Sequence, residues 1–320
     1  MLTVAEFNTT WSKNIVESYD MQSKEAIKNS AVSRIFDIVD TTEYTESFNT
    51  TEAMDAPGYF DEGETLKESS TGKGYKVTFD SREFGHTITV TKKARLKAKD
   101  STEKLLEVIN REKNNAITTM MAFIETEAHK IFNEAFSSTT YLAPDGLCLC
   151  NDAHAWKSTS ATFDNLLSAG TVLSATVVDA AEKYAGAFTD AEGNAMPIML
   201  NKILVKKWGT AAQAAKRLFG VKNSAGQYSP TSVGAINIYE GAYTIIETPY
   251  LTSDTAYFFL GDAEQMGIDN PLFINFMQRP QIEGEFTQIK NLNWEASVAA
   301  SMKFGIRNLP VTVLGDDGAA

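Results

Sequence analysis

Two cysteines and three histidines in 320 residues leave little material for thiol or metal chemistry. So few cysteines exclude a disulfide framework and fit a reducing compartment. Cys148 and Cys150 stand only two positions apart, where closing a bridge between them would be strained. Basic residues are also scarce: 29 Lys and Arg against 41 Asp and Glu give a formal net charge of -12. A protein that coats nucleic acid needs clustered cations to displace counterions, and this balance argues against one. No apolar run approaches the ~20 residues needed to cross a bilayer. The opening "MLTVAEFNTTWSKNIVESYD" has no basic start followed by an apolar stretch, so no signal peptide is visible. Phosphate-binding glycine loops are absent too. "SSTGKGYK" (69–76) leads into a strand pattern and lacks the Gly-Lys-Ser/Thr ending at a helix start. There is no Gly-x-Ser-x-Gly elbow and no His-Glu-x-x-His.

What is present is ordinary globular material, 43% hydrophobic and 22% charged, long enough for two packed regions. The first thirty residues read as an amphipathic helix. Phe7, Trp11, Ile15 and Tyr19 recur every four positions, opposite Asn8, Lys13, Glu17 and Asp20. Such an arm packs on its own domain or on a neighbouring subunit. Residues 50–70 read as an exposed acidic loop, with Glu52, Asp55, Asp61, Glu62, Glu64 and Glu68 against Lys67. Two alternating runs follow, "YKVTFD" and "EFGHTITVT", with "DSRE" between them as turn residues. They predict a long β-hairpin resting on another surface. Next comes the basic run "TKKARLKAKD". An acidic and a basic segment flanking one hairpin suit contacts between identical copies, where charge sets register. The candidate interface residues are Phe7, Trp11, Asp61, Glu62, Glu64, Lys73, Lys76, Arg82, Lys92 and Lys93.

Residues 101–136 contain no Gly or Pro and keep helical spacing from Leu105 to Ala135. At 1.5 Å per residue this helix runs to roughly 50 Å. Asp100 with Glu103 resembles a capping arrangement. The polar "NREKNN" interrupts any coiled-coil seam, which makes the helix a spine across an extended domain. From 160 to 265 strand and helix patterns alternate as in a compact α/β module. Its helices are "SATVVDAAEKYAGAF" and "WGTAAQAAKRLFG"; its strands lie in "AMPIMLNKILVKK", "GAINIYEGAYTIIETPYL" and "DTAYFFLGD". "NWEASVAASMKFGIR" then alternates from 294 to 307, a single strand of roughly 45 Å.

"DGLCLCNDAHAW" (145–156) gathers both cysteines and His154. Three ligands at this spacing fall short of a zinc site, since Cys-x-Cys on a strand leaves little room to wrap an ion. A Cys–His nucleophile would need an orienting third group and a pocket. The plainer expectation is a turn at "PDG", a short strand "LCLC" with small apolar cysteines, and a locally bonded histidine.

In this order the chain resembles the major capsid proteins of tailed bacteriophages, with the Hong Kong 97-type fold, and within them the Mu-type major head subunits. The residues that carry the resemblance are Asp145, Gly146 and His154 behind the spine helix, then "KILVKKWGTAAQAAKRLF", "AYFFLGD", "NPLFINFMQRPQIEGEF" and "SMKFGIRN". "LVKKWGT" lacks the prolines often seen after that strand. The resemblance implies an α+β fold with an N-terminal arm (1–32), an extended loop formed by a β-hairpin (53–90), a peripheral domain (33–52, 91–160 and 266–315) and an α/β axial domain (161–265). It implies a structural protein without catalysis or cofactor, assembled in the bacterial cytoplasm as hexamers and pentamers into the icosahedral head of a virion. That head encloses double-stranded DNA without sequence-specific binding, and an acidic lining suits it. No scaffolding segment is expected ahead of the arm, so a separate scaffolding protein and head protease are implied, with a portal protein and no membrane. The alternatives are an encapsulin-like compartment of the same fold and, in another class, a soluble thiol or metal enzyme using Cys148, Cys150 and His154.

Overall fold

The computed structural model describes residues 12–52, 73–93, 102–159, 161–167, 170–220, 238–263, 269–287 and 293–318. In chain order, helices α1 (Ser12–Lys28) and α2 (Val32–Ile35) lead into strands β1 (Asp37–Asp40), β2 (Thr45–Thr51), β3 (Lys73–Asp80) and β4 (Arg82–Val90). The long helix α3 (Thr102–Asn133) follows, then the short strands β5 (His154–Ala155) and β6 (Thr162–Phe163). After α4 (Ala175–Gly186) come β7 (Leu200–Lys206), α5 (Thr210–Phe219), β8 (Thr244–Thr248) and β9 (Tyr257–Gly261). The chain closes with β10 (Leu272–Thr287), β11 (Trp294–Ile306) and β12 (Val313–Asp316). It divides into two compact units, one of 1–46, 79–128 and 274–304, the other of 47–78, 129–273 and 305–320. Among the described residues no helix is long and apolar enough to cross a membrane.

In the first unit, helical spacing decides the buried faces. On α1 the buried residues Tyr19, Ser23 and Ile27 fall every four positions. Ser23 satisfies its buried hydroxyl by donating to the carbonyls of Asp20 (3.0 Å) and Pro280 (3.1 Å). On α3 the buried Ala116, Met120, Ile124 and Ala128 keep the same spacing. Lys113, inside the polar interruption, is itself buried and donates to Ser18 Oγ at 2.7 Å. The sheet of this unit has the order β1-β10-β11-β4. β4 and β11 run antiparallel from Trp294↔Val90 to Met302↔Arg82. Ala296, Val298, Ala300 and Met302 point to the buried face, as the alternation predicts. The other face is not simply solvated: Lys303 is buried too, donating to Glu43 O at 2.6 Å and pairing with Glu46 Oε2 at 3.0 Å.

The two predicted strands of the hairpin exist, but they do not pair with each other. β3 pairs with β2, and β4 with β11. Only Ser81 separates β3 from β4, and one residue cannot reverse a ladder whose shortest common loop has two. Ser81 is instead held by Tyr44 O (2.9 Å) and Ser301 Oγ (2.8 Å). The hairpin is β2–β3. Thr45 donates to Asp80 Oδ1 (2.7 Å), the hydroxyls of Ser47 and Thr78 bond at 2.9 Å, and Tyr75 N–H donates to Thr50 Oγ1 (2.6 Å). Those pairings descend in step, which makes the ladder antiparallel.

In the second unit the sheet order is β12-β9-β7-β8, with β7 and β8 parallel and β7 and β9 antiparallel. Ile203, Leu204 and Val205 are all fully buried, the continuous pattern of a strand covered on both faces. α4 buries Val177, Val178, Ala181 and Ala185, and α5 buries Ala211, Ala212, Ala215, Leu218 and Phe219. α4, β7, α5 and β9 fall within the predicted stretches; of "GAINIYEGAYTIIETPYL" only β8 is a strand, 238–242 being turn and 234–237 lying outside the described residues. β12 joins this sheet from the end of the chain, an edge that the sequence pattern does not indicate. The capping pair Asp100 and Glu103 and the beginning of the arm lie outside the described side chains.

Candidate functional site

The 145–156 stretch belongs to the second unit. Its "LCLC" forms no strand: 144–150 is irregular, made mostly of turns and bends, and the first strand pairing comes at β5. The backbone here is tied by side chains instead of a ladder. Asn165, fully buried, accepts the N–H of Asn151 (2.7 Å) and donates to the carbonyls of Leu149 (2.8 Å) and Pro310 (3.2 Å). The N–H of Cys150 donates to Ala135 O at 2.9 Å, just beyond α3.

Asp145 Oδ2 and His154 Nδ1 meet at 2.7 Å with both side chains withdrawn from water. Asp145 also accepts the N–H groups of Leu147 (3.2 Å) and Ala155 (3.3 Å). Burial alone would raise the Asp145 carboxyl, but the bonds from His154 and these N–H groups outweigh it and hold it below the usual carboxylate range. An ionised carboxylate only accepts, so Nδ1 carries the proton of this bond. The imidazole stacks on Phe163, ring centres 5.1 Å apart. His154 Nε2 is buried with no hydrogen-bond partner among the described residues.

The cysteines sit apart from this pair. Cys148 donates to Cys150 O at 3.3 Å. The Cys150 thiol is pushed up, first by burial and then by Cys148 and Asp316. That is the wrong direction for a nucleophile, whose reactive form is the thiolate. Among the described residues no group of His, Cys, Asp and Glu is placed to hold a metal ion. The predicted local bonding of the histidine is present, with Asp145 as its partner.

The same turn supports the base of the β2–β3 hairpin. Glu52 ends the β2 side, and the prediction of an exposed acidic loop fails at this residue, which is buried. Its carboxylate accepts the N–H of Lys157 (2.7 Å) and of Ser158 (2.8 Å), which makes burial of the charge tolerable. On the β3 side, Lys157 Nζ donates to Gly74 O (3.2 Å) and lies 5.5 Å from the Tyr75 ring centre. Tyr75 OH donates to Ala155 O at 3.2 Å. Burial, then the charges of Asp145 and Glu52, raise the Tyr75 hydroxyl, so it stays a donor. Both sides of the segment 53–72 are therefore anchored on the β5 turn. Nothing in the composition of "TTEAMDAPG" singles out Glu52 as a buried residue. The one cue is its position directly after a β-prone run.

Of the candidate interface residues, Lys73 and Lys76 are exposed on β3, Arg82 on β4, and Lys92 and Lys93 just past β4. Phe7, Trp11, Asp61, Glu62 and Glu64 lie outside the described residues.

No family model and no curated protein matches the chain. Solved structures do. The chain is similar to a structure from Mycobacterium phage Patience, at 14% identity over 96% of this chain and 87% of the other, TM-score 0.52. It is similar to the capsid of cyanophage P-SCSP1u, at 8% identity over 88% and 85%, TM-score 0.52. It is also similar to the capsid of an empty GTA particle, at 12% identity over 91% and 90%, TM-score 0.50. The chain has the Hong Kong 97-type capsid fold. Within that capsid fold the 145–158 turn is a joint: it ties the α/β unit to the base of the hairpin through Asp145, Asn165 and Glu52. Sequence identity of 8–14% means that this agreement lies in the arrangement of elements and not in shared side chains.

Proposed function

We propose that the chain is a shell subunit, the major capsid protein of a tailed bacteriophage, of the Mu-type head family. Copies assemble as hexamers and pentamers into an icosahedral head around double-stranded DNA. The observation that carries this reading is the capsid fold itself, matched along 88–96% of the chain. The net charge of -12 supports a lining that does not hold DNA by counterion release. In this reading 1–32 is the arm, 53–90 contains the extended loop, and 161–265, joined by β12, is the axial domain. Lys73, Lys76, Arg82, Lys92 and Lys93 face neighbouring copies, together with Phe7, Trp11, Asp61, Glu62 and Glu64. A scaffolding protein, a head protease and a portal protein are its assembly partners in this reading.

The reading assigns no catalysis. Buried thiols with a raised Cys150 and a histidine committed to Asp145 support a packing role for the 145–156 stretch. Sedimentation of the expressed chain, alone and with a scaffolding protein, tests assembly. Particles far larger than a 35.1 kDa monomer are expected, and a chain that stays monomeric in every condition contradicts the reading. Nuclease-protected double-stranded DNA inside native particles supports a phage head, whereas a protein cargo makes them an encapsulin-like compartment.

A further inference from the structure

Trp208 occupies the turn between β7 and α5 with φ 65°, and it is the non-glycine residue with positive φ among those described. Its side chain is 75% exposed. Glycine adopts this conformation freely, whereas a bulky L-residue does not. The turn is firmly built. Gly209 N–H donates to Lys206 O (3.0 Å), Lys207 N–H to Thr248 O (2.8 Å), and Lys206 Nζ pairs with Asp254 at 2.7 Å. The sequence thus holds a tryptophan in water on an unfavourable backbone. Strain kept in this way points to a use for the side chain. Lys207 Nζ lies 4.6 Å from the Trp208 ring centre, which adds a cation to the patch.

The opposite end of the same sheet has the complementary character. β7 and β8 run parallel and in register, from Lys202↔Thr244 to Lys206↔Thr248. Trp208 follows the last of these pairs, and the residues just before Thr244 precede the first. At that end Ile238 is 75% exposed. Beside it α4 presents Asp179 and Glu182, which accept the hydroxyls of Tyr239 (2.5 Å) and Tyr243 (3.0 Å). The hydrogen bond to Asp179, then burial, pushes the Tyr239 hydroxyl up to about 12, so it remains a donor at neutral pH. One end therefore offers an aromatic and a cation, the other an apolar side chain and two carboxylates. Lying at opposite ends of one sheet, they cannot meet within one chain.

We propose that Trp208 and Lys207 of one copy seat on the Ile238, Asp179 and Glu182 end of a second copy. The contact rests on the shell reading and names its partner surface. It is head-to-tail, the type of contact that closes into rings when the rotation between copies allows. A rigid exposed tryptophan beside a cation is the kind of anchor that dominates such interfaces.

Trp208→Gly separates this role from folding, because glycine accepts the backbone. The variant subunit is expected to unfold at the wild-type temperature or above, yet to need about tenfold more protein to assemble, the loss of one anchor residue. Lys207→Glu is expected to weaken assembly in the same direction. At a concentration where neither variant assembles alone, an equimolar mixture of Trp208→Gly and Ile238→Asp subunits keeps one intact contact and should stop at dimers in sedimentation. Variants that assemble at the wild-type concentration overturn this contact and leave the shell reading standing. A wild-type chain that never assembles overturns both.

Discussion

Asp145 and His154, nine positions apart, share a 2.7 Å hydrogen bond in a site closed to water. Removing the charge leaves the imidazole and two N–H groups with a weaker acceptor. Asp145→Asn is expected to cost about 1–3 kcal/mol of stability at neutral pH, measured by denaturant unfolding. The effect should depend on pH with a definite sign. The folded carboxyl lies below its unfolded value, so its stabilisation is complete above the unfolded value of about 4 and is lost as pH falls through the folded one. Wild type and Asp145→Asn should therefore converge as the pH is lowered below about 4. A gap that stays constant down to acid unfolding contradicts the assignment.

Glu52 anchors the hairpin base through two backbone N–H groups. Glu52→Ala should cost about 1–2 kcal/mol. Its signature is local: hydrogen exchange at Lys157 and Ser158 should quicken more than at β7. Uniform protection throughout the unit argues against the anchor.

Gly315 lies against the turn from β12. A Cβ there would fall 2.6 Å from Cys150 Sγ and 2.8 Å from Phe258 Cδ1. Gly315→Ala is expected to destabilise by about 1–3 kcal/mol through overpacking. Adding Cys150→Ala removes the sulfur and should recover part of that loss in a double-mutant cycle. Purely additive effects contradict the contact.

Both thiols are buried, and burial foremost raises Cys150. A thiol reagent should therefore label the native protein only as fast as it opens. Cys148→Ser and Cys150→Ser should assemble as wild type. Immediate labelling at neutral pH, or loss of bound metal on substitution, reopens the enzyme reading.

These side chains also explain what was legible in the sequence. β11 and the α/β elements carry periodic apolar residues, and a local pattern is enough to find them. Two alternating runs standing side by side predict the wrong hairpin, while the true partner of β3 is "TESFNTT", with Phe48 as its one aromatic. Phe48 is engaged by Phe273 at 4.8 Å between ring centres, a contact no local pattern encodes. Lys303 shows the same limit: alternation assigns it to the polar face, and Glu43 and Glu46 bury it there. The 145–156 stretch looked like chemistry because of its residue types. Asn165 and Pro310, far along the chain, make it a joint.

Electron microscopy of the expressed chain, alone and with a scaffolding protein, tests the central claim most directly. Closed shells or sheets built from six-fold and five-fold rings are the expected result. Monomers or disordered aggregate under all conditions, from a chain that unfolds cooperatively, would contradict it.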